Sequence, residues 1–158
     1  MNIIHKNIFL LLFLLVLSNC GFKVLHQNAG NNFNIKEVYS SGDKKINYKI
    51  KNNLIVSSTK GNANLLNLNL NTKKKKTVKE KNIKNEITKY EININVDISF
   101  NINNENEEKT FNLSKSGDYI VAENYSTTWN NENKLIESLV DDLSEKILEK
   151  INLILNDI

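Results

Sequence analysis

Cysteine occurs once in this chain, at Cys20, so no disulfide can form within it. Proline and arginine are absent, and all 21 basic residues are lysine. Lysine, asparagine and isoleucine share A/T-rich codons, so their abundance is a genome-level bias and carries little functional weight alone. Histidine is nearly missing too: of His5 and His26, neither has the company of N, S and carboxylate ligands that a metal site needs. The five glycines never cluster, which excludes a phosphate-cradling loop. No serine lies in a nucleophile motif with a base and an orienting group. The carboxylate pairs Glu107-Glu108 and Asp141-Asp142 are sequence neighbours of the kind normally solvated on a turn or helix face. These absences argue against an enzyme and imply no cofactor. Charge is nearly balanced as well, 21 minus 18 giving +3, and a chain so close to neutral gives no reason to expect nucleic acid as a partner.

Long apolar runs are limited to one. Lys6 precedes ten consecutive apolar residues, Ile8 to Leu17. That is too short for a membrane span, which needs roughly 20 apolar residues. A basic start, a short apolar run and then Ser18 and Asn19 before Cys20 form the layout of a secretory signal peptide. Leu17-Ser18-Asn19-Cys20 resembles the lipobox of bacterial lipoproteins, in which the cysteine becomes the lipid-modified first residue; Asn19 stands where Gly, Ala or Ser is usual. Cleavage after residue 19 leaves 139 of the 158 residues, enough for one domain with one core. Residues 20–32 read as a lipidated tether and 33–158 as the folded domain.

Period sets the elements. Phe33 to Tyr39 alternates imperfectly, with Val38 off phase, and predicts a first strand. Asp43 can cap a short helix over 43–54, whose apolar residues Ile46, Ile50 and Leu54 recur every four. Leu66, Leu68 and Leu70 alternate with asparagines as a strand. Lys73, Lys74, Lys75 and Lys76 open what reads as a basic connection extending to about Lys89. The clearest signal is Tyr90 to Ile102, where seven apolar residues alternate with Glu91, Asn93, Asn95, Asp97, Ser99 and Asn101. A polar turn at 103–107 then returns the chain antiparallel through Phe111, Leu113, Tyr119 and Val121, with Gly117 marking a bulge or kink. From a cap at Asn130 or Asn131, Leu135 to Ile154 repeats at helical spacing. The order β-α-β-β-β-α predicts an α+β two-layer sandwich, two helices on a four-stranded, mostly antiparallel sheet.

Cys20-Gly21-Phe22-Lys23-Val24-Leu25-His26 resembles the opening of the LPS-assembly lipoprotein (LptE) family, with Val24 and His26 where that family often has Pro and Tyr. The order of elements is similar over essentially the whole mature chain. The resemblance implies an outer-membrane lipoprotein, periplasm-facing and held to the membrane through acylated Cys20. It would plug a large LptD-type β-barrel and assist lipopolysaccharide assembly. No catalytic residue carries over, and no family position maps onto Lys73–Lys76. That run has two readings: a solvated loop, or a docking patch for the phosphates of lipopolysaccharide. Rival functions are another accessory lipoprotein (a pilotin or a lipid-transporter subunit) and a small lipid-anchored hydrolase, which needs a catalytic constellation the sequence does not display.

Overall fold

The computed structural model describes residues 33–58, 64–102 and 107–157. Cys20, the tether and residues 103–106 of the turn expected over 103–107 lie outside these residues. The elements are β1 (Phe33–Gly42), α1 (Lys44–Ser57), β2 (Asn64–Lys81), β3 (Ile87–Ile102), β4 (Glu108–Ile120) and α2 (Tyr125–Asn156). The strands form one sheet in the order β1-β2-β3-β4. β1 pairs with β2 in parallel, and the other two pairs are antiparallel. Both helices contribute to a single core with one face of this sheet. The fold is the α+β two-layer sandwich expected from the order of periodic segments.

The alternation on β3 survives intact. Ile92, Ile94, Val96 and Phe100 are fully buried and Ile98 is 2% exposed, while the residues between them face outward. On β1 the off-phase Val38 has a physical cause. Ile35 lies opposite Leu66 and Glu37 opposite Asn67, so Lys36 is an extra residue bulged out of the ladder. The bulge returns Val38 to the core beside Phe33 and Ile35.

Gly42 ends β1 with φ +92°, a backbone region open to glycine at no steric cost. Asp43 follows as the N-cap of α1, its Oδ1 accepting from the amides of Lys45 and Ile46 at 3.1 Å each. The helix runs past 54 to Ser57, because Leu54 is fully buried and packing overrides the weak propensity of Asn52 and Asn53. Asn47 faces the core, donates to Ser41 O at 2.8 Å and accepts from Thr72 Oγ1 at 2.9 Å. The three groups satisfy one another where α1 meets the sheet, which is what makes a buried amide tolerable.

Three further features differ from the expectation. First, Lys73 to Lys89 is not a connecting loop. β2 runs on to Lys81, β3 begins at Ile87, and only a tight turn separates them. Asn82 Oδ1 accepts from the amides of Lys84 and Glu86, and Asn85 adopts φ +63°, the left-handed geometry asparagine tolerates. Second, α2 starts at Tyr125, capped by Asn124, whose side chain accepts from Thr127 N at 2.7 Å. Neither Asn130 nor Asn131 is the cap. Third, Gly117 sits opposite Ile92 in a regular ladder with no bulge. Its role is spatial: a Cβ there would lie 2.6 Å from Leu135 Cδ1, so the missing side chain lets α2 approach β4. Val121 falls one residue beyond the strand and keeps a single ladder-like bond, donating to Thr88 O at 2.9 Å.

The two helices run side by side in the same direction. Lys45 meets Asn133, Lys49 meets Glu137 and Asn53 meets Asp141, at 2.9, 2.6 and 3.0 Å. Each step is four residues on both helices, one turn against one turn.

Candidate functional site

Period two divides the lysine run. Side chains along a strand alternate faces, so Lys74 and Lys76 follow Leu70 and Thr72 onto the helix side, while Lys73 and Lys75 follow Asn69 and Asn71 onto the open side. The inward pair is committed. Lys74 reaches Asp43 at 3.6 Å, and Lys76 reaches Glu132 of α2 at 2.7 Å. The Lys76 ammonium also lies 4.3 Å from the centre of the Tyr90 ring and 5.2 Å from that of Tyr119, close enough for cation–π attraction. Those two rings stack at 5.8 Å, and Tyr119 donates its hydroxyl to Glu132 Oε2 at 2.7 Å. The four residues join β2, β3, β4 and the first turns of α2. Glu132 and its lysine partner lie 56 residues apart, beyond the reach of any local pattern.

Burial alone would raise the Glu132 carboxyl, but hydrogen bonds from Lys76 and Tyr119 outweigh it and hold the group below its ordinary 4.5. Burial would likewise lower Lys76, but its bond to Glu132 prevails and the ammonium is held above 10.5. For Tyr119 burial leads and the phenol is raised above 10.0. A lowered carboxylate contributes stability that is present above its unfolded value and lost as pH falls through the folded one. A raised lysine contributes stability that is lost as pH rises through its folded value. The cluster therefore holds between about pH 5 and pH 10 and weakens on either side. Glu132→Gln is expected to cost on the order of 1 kcal/mol at pH 7, discounted for the partly exposed partners. The difference from wild type should shrink at pH 3, below the 4.5 of the unfolded carboxyl, where folding no longer gains the full charge interaction. Urea midpoints of both proteins at the two pH values check this, and an equal difference at both would refute the charge argument.

Lys73 and Lys75 have no ion-pair partner among the described residues and are exposed. They stand at one end of a polar sheet face lined by amides and hydroxyls. Asn93 donates to Ser114 and Ser116 at 3.0 and 2.8 Å, and Asn112 bonds Asn95 and Asp97, the latter at 2.6 Å. Asn71 and Asn69 continue the network to Asp97 and Ser99. A shallow depression of about 450 Å³ opens on this face between Asn69, Asn71, Asp97, Ser99, Thr110 and Asn112. Such a lining can exchange hydrogen bonds with a polar surface. Among the described residues no three His, Cys, Asp or Glu side chains gather to hold a metal ion, and no helix is long and apolar enough to cross a membrane.

The fold has counterparts among solved structures. Rare lipoprotein B from Shewanella oneidensis superposes with a TM-score of 0.58 at 12% identity, over 77% of this chain and 97% of that one. The solution structure of uncharacterized lipoprotein B from Nitrosomonas europaea gives 0.54 at 10% identity, over 81% and 90%. The chain has their fold. At these identities the likeness concerns architecture alone. No protein-family model matches the chain, and no curated protein matches it in sequence.

Of the residues singled out from sequence, Cys20 lies outside the described residues. Lys73–Lys76 are together in the chain but apart in space, two facing the helices and two the open sheet.

Proposed function

We propose that the protein is a lipid-anchored outer-membrane lipoprotein of the LptE type. It faces the periplasm, binds a large LptD-type β-barrel as a plug and assists lipopolysaccharide assembly by binding rather than catalysis. The observation that carries this reading is the conjunction of a lipobox ending at Cys20 with a sandwich shaped like rare lipoprotein B over most of both chains. The open sheet face supports it. The lumen of a large outer-membrane barrel is polar, and a wall of asparagine, serine and aspartate meets such a surface without burying unsatisfied groups. Lys73 and Lys75 are the two members of the run free to meet lipopolysaccharide phosphates. The ammonium groups of Lys74 and Lys76 already have carboxylate partners.

Detergent extraction of the native protein from a Gram-negative host, followed by affinity purification, tests the reading. A large heat-modifiable barrel and lipopolysaccharide are expected to come down with it. Cys20→Ser should leave the chain unprocessed or released, since stable anchoring takes two or more acyl chains at about 0.8 kcal/mol per CH₂. Recovery of a lipidated protein with neither barrel nor lipopolysaccharide would remove the LptE reading and leave an accessory lipoprotein of another system. Full membrane retention of the serine variant in cells lacking the barrel would remove the anchor.

A further inference from the structure

β2 is longer than the strand beside it. β1 pairs with β2 only as far as Gly42 opposite Thr72, where the positive φ of Gly42 and the Asp43 cap turn the chain into α1. From Lys73 to Lys81 the strand has β3 on one side and, among the described residues, no strand on the other. The direction of its backbone groups follows from two bonds. Thr72 O accepts from Asp43 N at 3.1 Å, on the β1 side. In an antiparallel pair, alternate residues turn both N–H and C=O to the same partner. Lys74, Lys76 and Val78 therefore turn theirs away from β3, along the line β1 has vacated. Val121 N donating to Thr88 O fixes the same parity across β3.

An edge of this length invites pairing, and lysine is the residue that guards edges against like strands. Here the guard is selective by charge. The stretch Lys73–Lys81 holds six lysines against one glutamate, Glu80; Lys74, Lys76 and Lys79 pair with Asp43, Glu132 and Asp118, and the charge left on Lys73, Lys75 and Lys81 disfavours a second copy of the same strand. On the open face Lys73 and Lys75 stand two residues apart with no counter-ion among the described residues, and an added strand would place its same-face residues about 5 Å from them.

We propose that the β2 edge from Lys73 to Lys81 is a strand-addition site for an extended acidic segment of a partner protein. The segment pairs with the backbone of Lys74, Lys76 and Val78 and presents carboxylates at alternate positions to Lys73 and Lys75. This mode takes affinity from main-chain hydrogen bonds and selectivity from alternate side chains. It does not rest on the lipopolysaccharide reading: phosphates would meet ammonium groups on the open face, whereas the strand meets the backbone along the edge.

The test uses the mature lipidated protein in neutral detergent and two labelled nine-residue peptides of equal charge. One alternates glutamate with valine; the other alternates glutamate with proline, which cannot form a ladder. The valine peptide is expected to bind at least about tenfold more tightly, the worth of one or two net hydrogen bonds. It should also slow amide exchange at Lys74, Lys76 and Val78. Val78→Pro removes one outward donor while leaving every lysine in place, and should abolish most of that preference. Equal binding of the two peptides to the wild-type protein, or unchanged exchange at the three amides, would overturn the proposal and leave the run as an edge guard that attracts anions by charge alone. The comparison of the two peptides decides even if the proline variant does not fold.

Discussion

Ile98→Asp is expected to unfold the domain, whereas Asn95→Asp, on the same strand, is expected to leave it folded. Ile98 is 2% exposed and lies between Leu70 and Phe111 on the core face of β3. A carboxylate there has no cation beside it in the ladder and loses its hydration, a cost of several kcal/mol. That is comparable with the whole stability of an ordinary domain. Asn95 points to the open face between Lys73 and Ser114, where a carboxylate stays wet and gains a cationic neighbour; a change within about 1 kcal/mol is expected. Ile94 offers a sharper comparison. It is as buried as Ile98, yet its two ladder neighbours are Lys74 and Lys115. Both reach carboxylates at the rim, Asp43 and Asp142, and either could turn toward an introduced Asp. Ile94→Asp should therefore cost less than Ile98→Asp. Chemical denaturation of the three variants gives the order, and equal loss at 94 and 98 would show that the lysine stems are held too firmly to respond.

That comparison also shows where sequence reasoning succeeds and where it stops. Period two on β3 and helical spacing from Leu135 onward were legible because each element buries one face, and burial writes its period into the chain. Composition alone gave no such guide for Lys73–Lys81. Lysine is a poor marker of a strand, and four in a row conceal the alternation that apolar residues would display. Only the long-range partners, Glu132 for Lys76 and Asp43 for Lys74, separate the run into a paired and an unpaired face. The start of α2 was hidden for a related reason. Tyr125 to Asn131 carries no apolar repeat and contains Ser, Thr and Asn, weak helix formers, so the helix is held there by its Asn124 cap and by Thr128, whose hydroxyl accepts from Ala122 N at 2.9 Å. The bulge at Lys36 did leave a trace, in the off-phase Val38, but a phase slip does not say which neighbouring residue is extruded.

Gly42 carries the second large expectation: Gly42→Ala should lower stability on the order of 3 kcal/mol, a drop in Tm of roughly 10 °C. Two separate effects converge on this position. Its φ of +92° is one that alanine adopts only under strain. In addition, a Cβ built on Gly42 would stand 1.9 Å from Thr72 O and 2.9 Å from Thr72 C. Those are backbone atoms of a paired strand and cannot swing aside as a side-chain end could. Relief would require β1 to part from β2 where Asp43 N bonds Thr72 O at 3.1 Å, and Asp43 is also the residue whose side chain caps α1. Gly42→Asn separates the two effects, because asparagine tolerates positive φ better than alanine but carries the same Cβ. If the close approach to Thr72 O dominates, both variants should melt at nearly the same reduced temperature. An asparagine variant close to wild type would show instead that the dihedral alone demands glycine and that β2 can yield at Thr72. The strand edge beyond Thr72 would then be looser as well, and amide exchange at Lys74 in the asparagine variant should rise accordingly.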